Sequence, residues 1–251
     1  MENAYGVSGG GPVLALFAHP DDTEFVCGGA LALWAEAGRQ LVYAFCTDGS
    51  KGSADPTMTA ERLVAQRQEE QRAAARHLGC NDVVFLPYPD AMLEPTLDLR
   101  RDFTRIIRQY KPEIVVCFDP EVHYFGDSYI QHPDHRASGE AALAAVFPSA
   151  RDRLTFPELL AEALEPHNVD EVFLASSNKP NCWIDISSVI DRKIEAMRMH
   201  ASQVGDGERL ATMLRIRAED AGMPQGLAYA ETYHRIDMRP ERRFKRSEPA
   251  A

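Results

Sequence analysis

The sequence predicts an α/β fold: a Rossmann-like, doubly wound and mostly parallel sheet with helices on both faces. Short, almost wholly apolar runs recur along the first 147 residues, which is the pattern of strands covered on both faces. Stretches with helical character follow these runs through short connections, as in repeated βα units. This order predicts parallel strands joined by crossover helices.

Four apolar runs predict the strands of the first half. The first reads "PVLALFA" and the fourth "EIVVCFD". Runs of about four to eight apolar residues are typical of strands with both faces buried. The four runs cover residues 12–18, 41–47, 82–88 and 113–119.

A predicted helix follows each of these strands. Gly38 and Gly79 end the first two helices, since glycine readily adopts the left-handed conformation after a last helical turn. Pro112 ends the third, and Pro133 lies in the first turn of the fourth, where an N–H is not needed. The four helices are predicted over residues 28–38, 59–79, 98–112 and 133–147.

The second half of the chain is less regular, and its elements are predicted from shorter patterns. Two further runs resemble strands, at 170–176 and 182–186. Three helices are predicted over 156–166, 187–202 and 207–222.

No internal repeat and no linker divides the chain, so residues 1–251 are interpreted as one domain. Its core is expected over 12–238. The two ends, 1–11 and 239–251, are expected to be flexible or peripheral, the second because it is rich in charge.

Composition narrows the classes of function. The net charge of −11 argues against a general binder of nucleic acids or anionic membranes. The five cysteines are odd in number and lack zinc-type spacing, which suits reduced thiols in the cytoplasm. We find neither a signal-peptide pattern nor an apolar run near the ~20 residues that span a bilayer. A cytoplasmic protein is therefore expected.

Polar clusters follow three of the predicted strands. "HPDD" (19–22) follows the first strand, Asp90 follows the third, and "QHPDHR" (131–136) lies in the loop after the fourth. Ligands bind beyond the carboxyl ends of strands in open parallel sheets, so these clusters are expected to share one site. Taken alone, either motif could also be a capped helix start.

The spacing within the two motifs indicates a metal site. His19 and Asp22 are three positions apart, as are His132 and His135, and residues at this spacing share one side of a turn. Two imidazoles and a carboxylate with one open position suit a catalytic zinc, which lowers the pKa of a bound water towards ~7. Asp21 would remain as a base, and the spare histidine as an acid or oxyanion donor, a set suited to amide or ester hydrolysis.

Five motifs resemble the LmbE/PIG-L-like zinc-dependent N-deacetylases over residues 12–147. They are "AHPDD", "TDGSKGS", "RQEEQRAAARHLG", "PYPDAML" and "QHPDHRASGEAA". The resemblance implies an LmbE-like fold and removal of the acetyl group from an N-acetylglucosamine-type sugar or conjugate by a zinc-bound water. It is closest to the branch that acts on N-acetylglucosaminyl sugars and chito-oligosaccharides.

The resemblance also implies roles for individual residues. His19, Asp22 and His135 match the zinc ligands of the family. Asp21 matches the general base, and His132 the group that stabilises the tetrahedral intermediate and protonates the amine.

Substrate contacts and partners follow from the same resemblance. Arg67 and Asp90 match residues that bind substrate oxygens, although an arginine near Glu69 and Glu70 is more commonly part of a solvated helix face. One Zn²⁺ per subunit is expected, although His₂-carboxylate sites also accept iron(II), cobalt or nickel. An amino-sugar substrate and a homo-oligomer, trimer or hexamer, are implied, without nucleic acid or membrane span.

Three alternatives stay open at this stage. The chain could be an amidase of the same family acting on a larger acyl group. It could hold a non-haem iron(II) His-x-Asp…His oxygenase site, which normally occurs in all-β folds. It could also be a sugar- or metal-binding protein without catalysis.

Overall fold

The computed structural model describes residues 10–239 of the chain. Its strands, in chain order, are β1 (Val13–Phe17), β2 (Leu41–Thr47), β3 (Asp82–Tyr88), β4 (Ile114–Phe118), β5 (Tyr124–Phe125), β6 (Tyr129–Ile130), β7 (Glu171–Ala175), β8 (Cys182–Asp185) and β9 (Ala230–Asp237). The helices are α1 (Asp22–Glu36), α2 (Ala60–Leu78), α3 (Leu97–Tyr110), α4 (Pro133–Ala144), α5 (Glu158–Ala161), α6 (Ile190–Arg198), α7 (Ala201–Val204) and α8 (Gly207–Gly222).

Seven of these strands form one sheet in the order β3-β2-β1-β4-β7-β9-β8. The first five strands of this order are parallel, and β9 runs antiparallel between β7 and β8. The chain moves from β1 outward to β2 and β3, then returns to the other side of β1 with β4. The strand order therefore reverses between β1 and β4, which is where an open α/β sheet forms a ligand crevice.

The core lies on both faces of this sheet, as the apolar runs predict. In β1, Val13, Ala15 and Phe17 pack on one face, while Leu14 and Leu16 pack on the other, all fully buried. Helices α1, α2, α6 and α8 contribute to the first layer, and α3 and α4 to the second. The predicted doubly wound, mostly parallel sheet is confirmed.

Helix α1 begins earlier than predicted, at Asp22 instead of residue 28. The backbone N–H of Phe25 donates to the carbonyl of Asp21 at 3.1 Å, so the first helical turn follows "HPDD" directly. The metal-site motif is therefore itself the entry to this helix.

Three other predicted helices differ in extent. Helix α4 ends at Ala144, before the cis peptide bond Phe147–Pro148, and the helix predicted over 156–166 is only the single turn α5. The chain leaves α5 through Ala163, whose φ of 60° is not helical. The helix predicted over 187–202 is divided into α6 and α7, because the chain turns at His200.

Strand β9 was not predicted from the sequence. Its charged residues are not typical of a strand inside a sheet, so the sequence does not indicate one. Partners from other elements of the fold neutralise these charges. Glu231 pairs with Lys193 at 2.6 Å, and Arg235 pairs with Glu171 at 2.6 Å. Because each pair joins residues from two different elements, no local pattern in the sequence indicates it.

The predicted peripheral ends lie outside the described residues, apart from 10, 11 and 239. Among those three, Gly11 donates its N–H to Glu113, and Arg239 pairs with Asp237 and Glu171. No helix within residues 10–239 has both the length and the apolar character needed to cross a bilayer. The iron(II) oxygenase alternative does not fit, because its usual all-β scaffold is absent from this part of the chain, where helices flank a parallel sheet.

Candidate active site

Two turns meet at the carboxyl edge of the sheet, where the strand order reverses. The HPDD turn (19–22) joins β1 to α1, and the HPDH turn (132–135) begins α4. Nδ1 of His19 lies 3.3 Å from Nε2 of His135, although 116 positions separate the two residues. Asp22 completes the group, with its two carboxylate oxygens 3.5 Å from His19 Nδ1 and 3.2 Å from His135 Nε2.

These distances fit a tetrahedral metal ion. Ligand atoms about 2.0–2.2 Å from zinc lie about 3.3–3.5 Å from one another in that geometry. The three separations within His19, Asp22 and His135 are 3.3, 3.5 and 3.2 Å, and the last two are measured to different carboxylate oxygens of Asp22. His132 also has a ring nitrogen within 4.8 Å of those of His19 and His135. The three residues expected as ligands are therefore brought together with His132 beside them, and Asp90 and Asp134 form a second such group with His19 and His132.

Neighbouring groups fix which ring nitrogen of each ligand histidine carries the proton. Nε2 of His19 faces carboxylate oxygens of Asp90 and Asp134 at 3.1 and 3.2 Å, so in the neutral ring Nε2 carries the proton and Nδ1 has the lone pair; the imidazolium form gains that lone pair only when an ion displaces the Nδ1 proton. Nδ1 of His135 lies 3.2 Å from the amide oxygen of Gln131, which leaves Nε2 free. Both free lone pairs belong to the nitrogens that face Asp22, as metal ligands require.

The cluster carries an excess of carboxylates that calls for a cation. Asp21, Asp22, Asp90 and Asp134 all lie around His19, and the last three are almost fully buried. Burial disfavours charge on His19, but hydrogen bonds to these carboxylates outweigh it and raise its pKa to about 12. Burial alone would raise the pKa of Asp22, yet His135 and His19 hold it well below its usual range. Buried acidic groups of this kind are stable when they are paired or coordinate a metal.

Asp21 has a strained backbone beside the ligands. Its φ is 103°, a region that non-glycine residues rarely adopt. Its N–H donates to Gln71 Oε1 at 2.8 Å, and Gln71 in turn donates to Glu24, which pairs with His200 at 3.2 Å. Burial and the adjacent Asp22 carboxylate raise the pKa of Asp21 to about 6. This network orders the turn and holds Asp21 beside His19 and Asp22.

The structure places both predicted substrate residues at the site, in ways the sequence did not indicate. Arg67 is buried rather than on a solvated face; it donates to the carbonyls of Pro20 and Gly49 and lies 3.3 Å from Asp21. Asp90 accepts from the Lys51 N–H as well as facing His19. The positive charge of His19 lowers the pKa of Asp90 to about 2 against the effect of burial. Both residues therefore shape the site as well as lining it.

His132 is held in one orientation as the residue that precedes α4. Its Nδ1 accepts from the backbone N–H of Asp134 at 3.2 Å, so the neutral ring carries its proton on Nε2. Burial and the neighbouring His19 lower the pKa of His132. A neutral imidazole with a fixed N–H is suited to donating a hydrogen bond to a developing oxyanion.

Three residues of the site were given no role from the sequence. Asp134 and Gln131 lie inside the motif "QHPDHR", yet only the histidines were singled out. Gln71 lies one helical turn after Arg67 on α2, where nothing in the sequence connects it with "HPDD". Asp134 contacts His19 across 115 positions, and Gln71 contacts Glu24 and Asp21 across 47 and 50, which no local pattern records; Gln131 contacts His135 within the motif itself.

Two differently lined spaces flank the ligand cluster. A polar cleft of about 270 Å³ contains Lys51, Arg67, Asp90 and His132 together with the ligands. An apolar cavity of about 480 Å³ shares Asp22 and His135 with it; its apolar lining is Phe25, Val26, Phe118, Phe125, Tyr129 and Met213. A bound ion would therefore stand between a polar and an apolar space.

Comparison with known proteins supports the interpretation of the site. The PIG-L family, described as GlcNAc-PI de-N-acetylase, matches residues 14–146. Diacetylchitobiose deacetylase of Thermococcus kodakarensis is 34% identical over 221 residues, covering 87% of this chain and 80% of its own length. A probable N-acetyl-α-D-glucosaminyl L-malate deacetylase 2 of Bacillus anthracis is 30% identical over 76% of this chain and 80% of its own.

A solved structure shares the fold closely. N,N'-diacetylchitobiose deacetylase of Pyrococcus horikoshii superposes with a TM-score of 0.84 at 30% identity, covering 93% of this chain and 88% of that one. These matches confirm the family resemblance drawn from the motifs, and extend the likeness of fold well beyond residue 147.

Proposed function

The chain belongs to the PIG-L family of GlcNAc-PI de-N-acetylases, and from this premise we propose that it hydrolyses the N-acyl amide of glucosamine-containing small molecules with the help of one divalent ion. As a member of this family it is a deacetylase, a hydrolase of amide bonds. The observation that supports a metal-assisted route is the convergence of His19, Asp22 and His135 at spacings of 3.2–3.5 Å. We propose zinc as the ion, held by these three residues.

The proposed roles follow from the positions of the surrounding groups. When bound, the ion would supply Lewis-acid chemistry, lowering the pKa of a coordinated water towards about 7. In this proposal Asp22, and not Asp21, is the ligand. The carboxylate of Asp21 accepts the proton of the attacking water. His132 donates its Nε2 hydrogen to the oxygen of the tetrahedral intermediate. Protonation of the amine by His132 stays a prediction: its Nδ1 accepts from the backbone N–H of Asp134, so the Nε2 proton is the one it can give, and Asp21, having taken a proton from the water, is the other donor available.

The polar cleft is proposed as the site of the sugar. Arg67 and Asp90, a cation and an anion side by side at 3.7 Å, can donate to and accept from sugar hydroxyls. Lys51 lines the same cleft and adds a second cation. Diacetylchitobiose and N-acetylglucosaminyl malate are the substrates that the names of the relatives suggest, so N-acetylglucosamine conjugates are the class to test.

The test is a screen of N-acetylglucosamine derivatives for released acetate, with Asp21→Asn as the matched variant. We expect the wild type to release acetate and a free amine. Asp21→Asn is expected to retain one metal ion per chain and to lose about 10²–10⁴-fold in kcat. Retention of full activity by this variant would remove Asp21 as the base, and loss of its metal would make Asp21 a ligand instead.

A further inference from the structure

The apolar cavity differs from the polar cleft in what it can receive. Six of its eleven lining residues are aromatic or aliphatic; apart from Asp22 and His135, which it shares with the cleft, its polar lining is Gln131, Ser176 and Arg217. A hydroxyl that loses its water without finding a hydrogen-bond partner is strongly disfavoured. A sugar ring with several hydroxyls is therefore disfavoured in the apolar cavity and favoured in the cleft.

An amide at the metal ligands has two ends, and the structure offers each a different surrounding. If the sugar occupies the polar cleft, the acyl group points to the other side of Asp22 and His135, the two residues that both spaces share. Resting on the function proposed above, we infer that the apolar cavity receives the acyl group and that this enzyme removes N-acyl chains longer than acetyl. The reaction is ordinary hydrolysis: the C–N bond breaks, the acyl carbon takes the hydroxyl of water, and the amine takes the hydrogen.

The size of the apolar cavity carries this inference. The methyl group of an acetyl is about as large as one water molecule, about 30 Å³, and the cavity measures about 480 Å³. With an acetyl group bound, most of the cavity would hold water in contact with aromatic rings. A longer chain would exclude that water, and apolar burial favours binding in proportion to the area covered.

A second space adjoins the apolar cavity and would hold the end of an acyl chain too long for the cavity alone. A further space of about 660 Å³ shares Phe25, Tyr129 and Met213 with it. It extends along α8 to Leu210 and past Val204 of α7. The lining of this space is mixed, since Asp21, Gln203, Asp206 and Arg209 lie beside Met197, Val204 and Leu210, so only one side of it continues the apolar cavity.

The first experiment uses the metal-loaded wild type and a series of N-acyl glucosamines: acetyl, butanoyl, hexanoyl and octanoyl. Release of glucosamine gives kcat/KM for each. We expect kcat/KM to rise from acetyl to hexanoyl by about tenfold, a part of the fourfold per methylene that full burial would give. A steep fall already at butanoyl would overturn the inference while leaving the deacetylase function intact.

A second measurement does not depend on turnover. The Asp21→Asn variant is titrated with the same compounds in a calorimeter, and the affinity is expected to increase with chain length up to hexanoyl by about tenfold or more. Affinity that stays constant along the series would overturn the inference. If no compound were hydrolysed by the wild type, the proposed function would fail, and this titration would still decide whether the apolar cavity accepts acyl chains.

Two substitutions on α8 form a matched pair. Met213→Trp adds bulk to a lining residue of the apolar cavity, whereas Ile216→Trp makes a similar change at an exposed position of the same helix that does not line it. We expect Met213→Trp to lower the hexanoyl-to-acetyl ratio of kcat/KM by about tenfold, since the chain loses buried area, and Ile216→Trp to leave the ratio unchanged. An equal ratio in both variants would contradict the placement of the acyl group.

Discussion

At the scale of single residues, the site depends on side chains that each satisfy two demands. His19 offers Nδ1 to the ligand cluster while Nε2 is held by Asp90 and Asp134. Arg67 uses its guanidinium to bind backbone carbonyls of the HPDD turn and the loop at Gly49, and still lines the polar cleft. Residues with a double role of this kind tolerate little replacement, because a conservative substitution preserves only one of the two contacts.

Asp134 should control metal affinity without touching the metal. It accepts hydrogen bonds from Ala91 and Leu93 and faces His19 Nε2. We expect Asp134→Asn to weaken metal binding by about 10–100-fold, because outer partners of ligand histidines contribute that much. Competition with a chromogenic chelator measures it. Glu140→Gln, at an exposed position of the same helix, is the control, and equal affinities in the two variants would refute the role.

His200 should make stability depend on pH. Burial disfavours its charge, but the hydrogen bond to Glu24 and the charges of Glu24, Asp21 and Glu70 raise its pKa above 6.5. The folded chain therefore holds this proton more tightly than the unfolded chain, so the stabilisation is complete below the unfolded pKa and is lost as pH rises through the folded one.

The direction of this pH dependence can be tested by comparing the stability of the wild type with that of His200→Gln. In denaturant unfolding of the metal-free protein, the advantage of the wild type over the variant is expected to shrink as the pH rises from about 6.5, the ordinary pKa of histidine, into the alkaline range. An advantage that grows over the same interval would show that His200 is neutral in the folded chain.

At the scale of elements, a charge pair formed between β9 and α6 anchors helix α1. Glu231 of β9 accepts from the backbone N–H groups of Gly29 and Ala30, inside α1, at 2.8 Å each. Lys193 of α6 neutralises it, and Tyr233 donates to its other oxygen. The helix that begins at the metal ligands is thus fixed to the antiparallel edge of the sheet.

Removing one partner of this pair should be costly. Lys193→Met leaves the buried Glu231 carboxylate without its cation, and we expect the free energy of unfolding to fall by about 3–5 kcal/mol. Urea denaturation measures the change. Lys179→Met, in the exposed pair with Glu121, is the control and should not alter stability measurably. A similarly small effect at Lys193 would mean that Glu231 takes up a proton in the variant.

At the scale of the whole molecule, the proposed ion would couple the sheet to the site. The ligands come from the loops after β1 and β4, two strands that are adjacent in space but far apart in the chain. An ion held by both loops binds the folded chain only, so it stabilises the entire wound sheet by mass action.

Chelation should therefore lower the thermal midpoint of the holoprotein. At a metal concentration about 100 times Kd, the ion contributes about 2.7 kcal/mol. For a chain of this size each kcal/mol shifts Tm by about 2–4 °C, so a drop of about 5–10 °C is expected. Differential scanning calorimetry with and without chelator, followed by readdition of zinc, measures it. An unchanged Tm, with loss of metal verified by elemental analysis, would contradict a structural link between the two loops.

The sequence by itself determined the alternation of buried strands and helices, and the residue types of the metal set. Apolar runs and glycine or proline stops are local patterns, and "HPDD" and "HPDH" state their chemistry within four residues. Only the tertiary structure decided what holds these groups in place. Arg67 proved buried, Asp134 proved to hold His19 and Gln71 the backbone of Asp21, and β9 proved to be a strand. These outcomes depend on contacts between residues far apart in the chain, and the cost of burying a charge is offset by partners that no local pattern identifies.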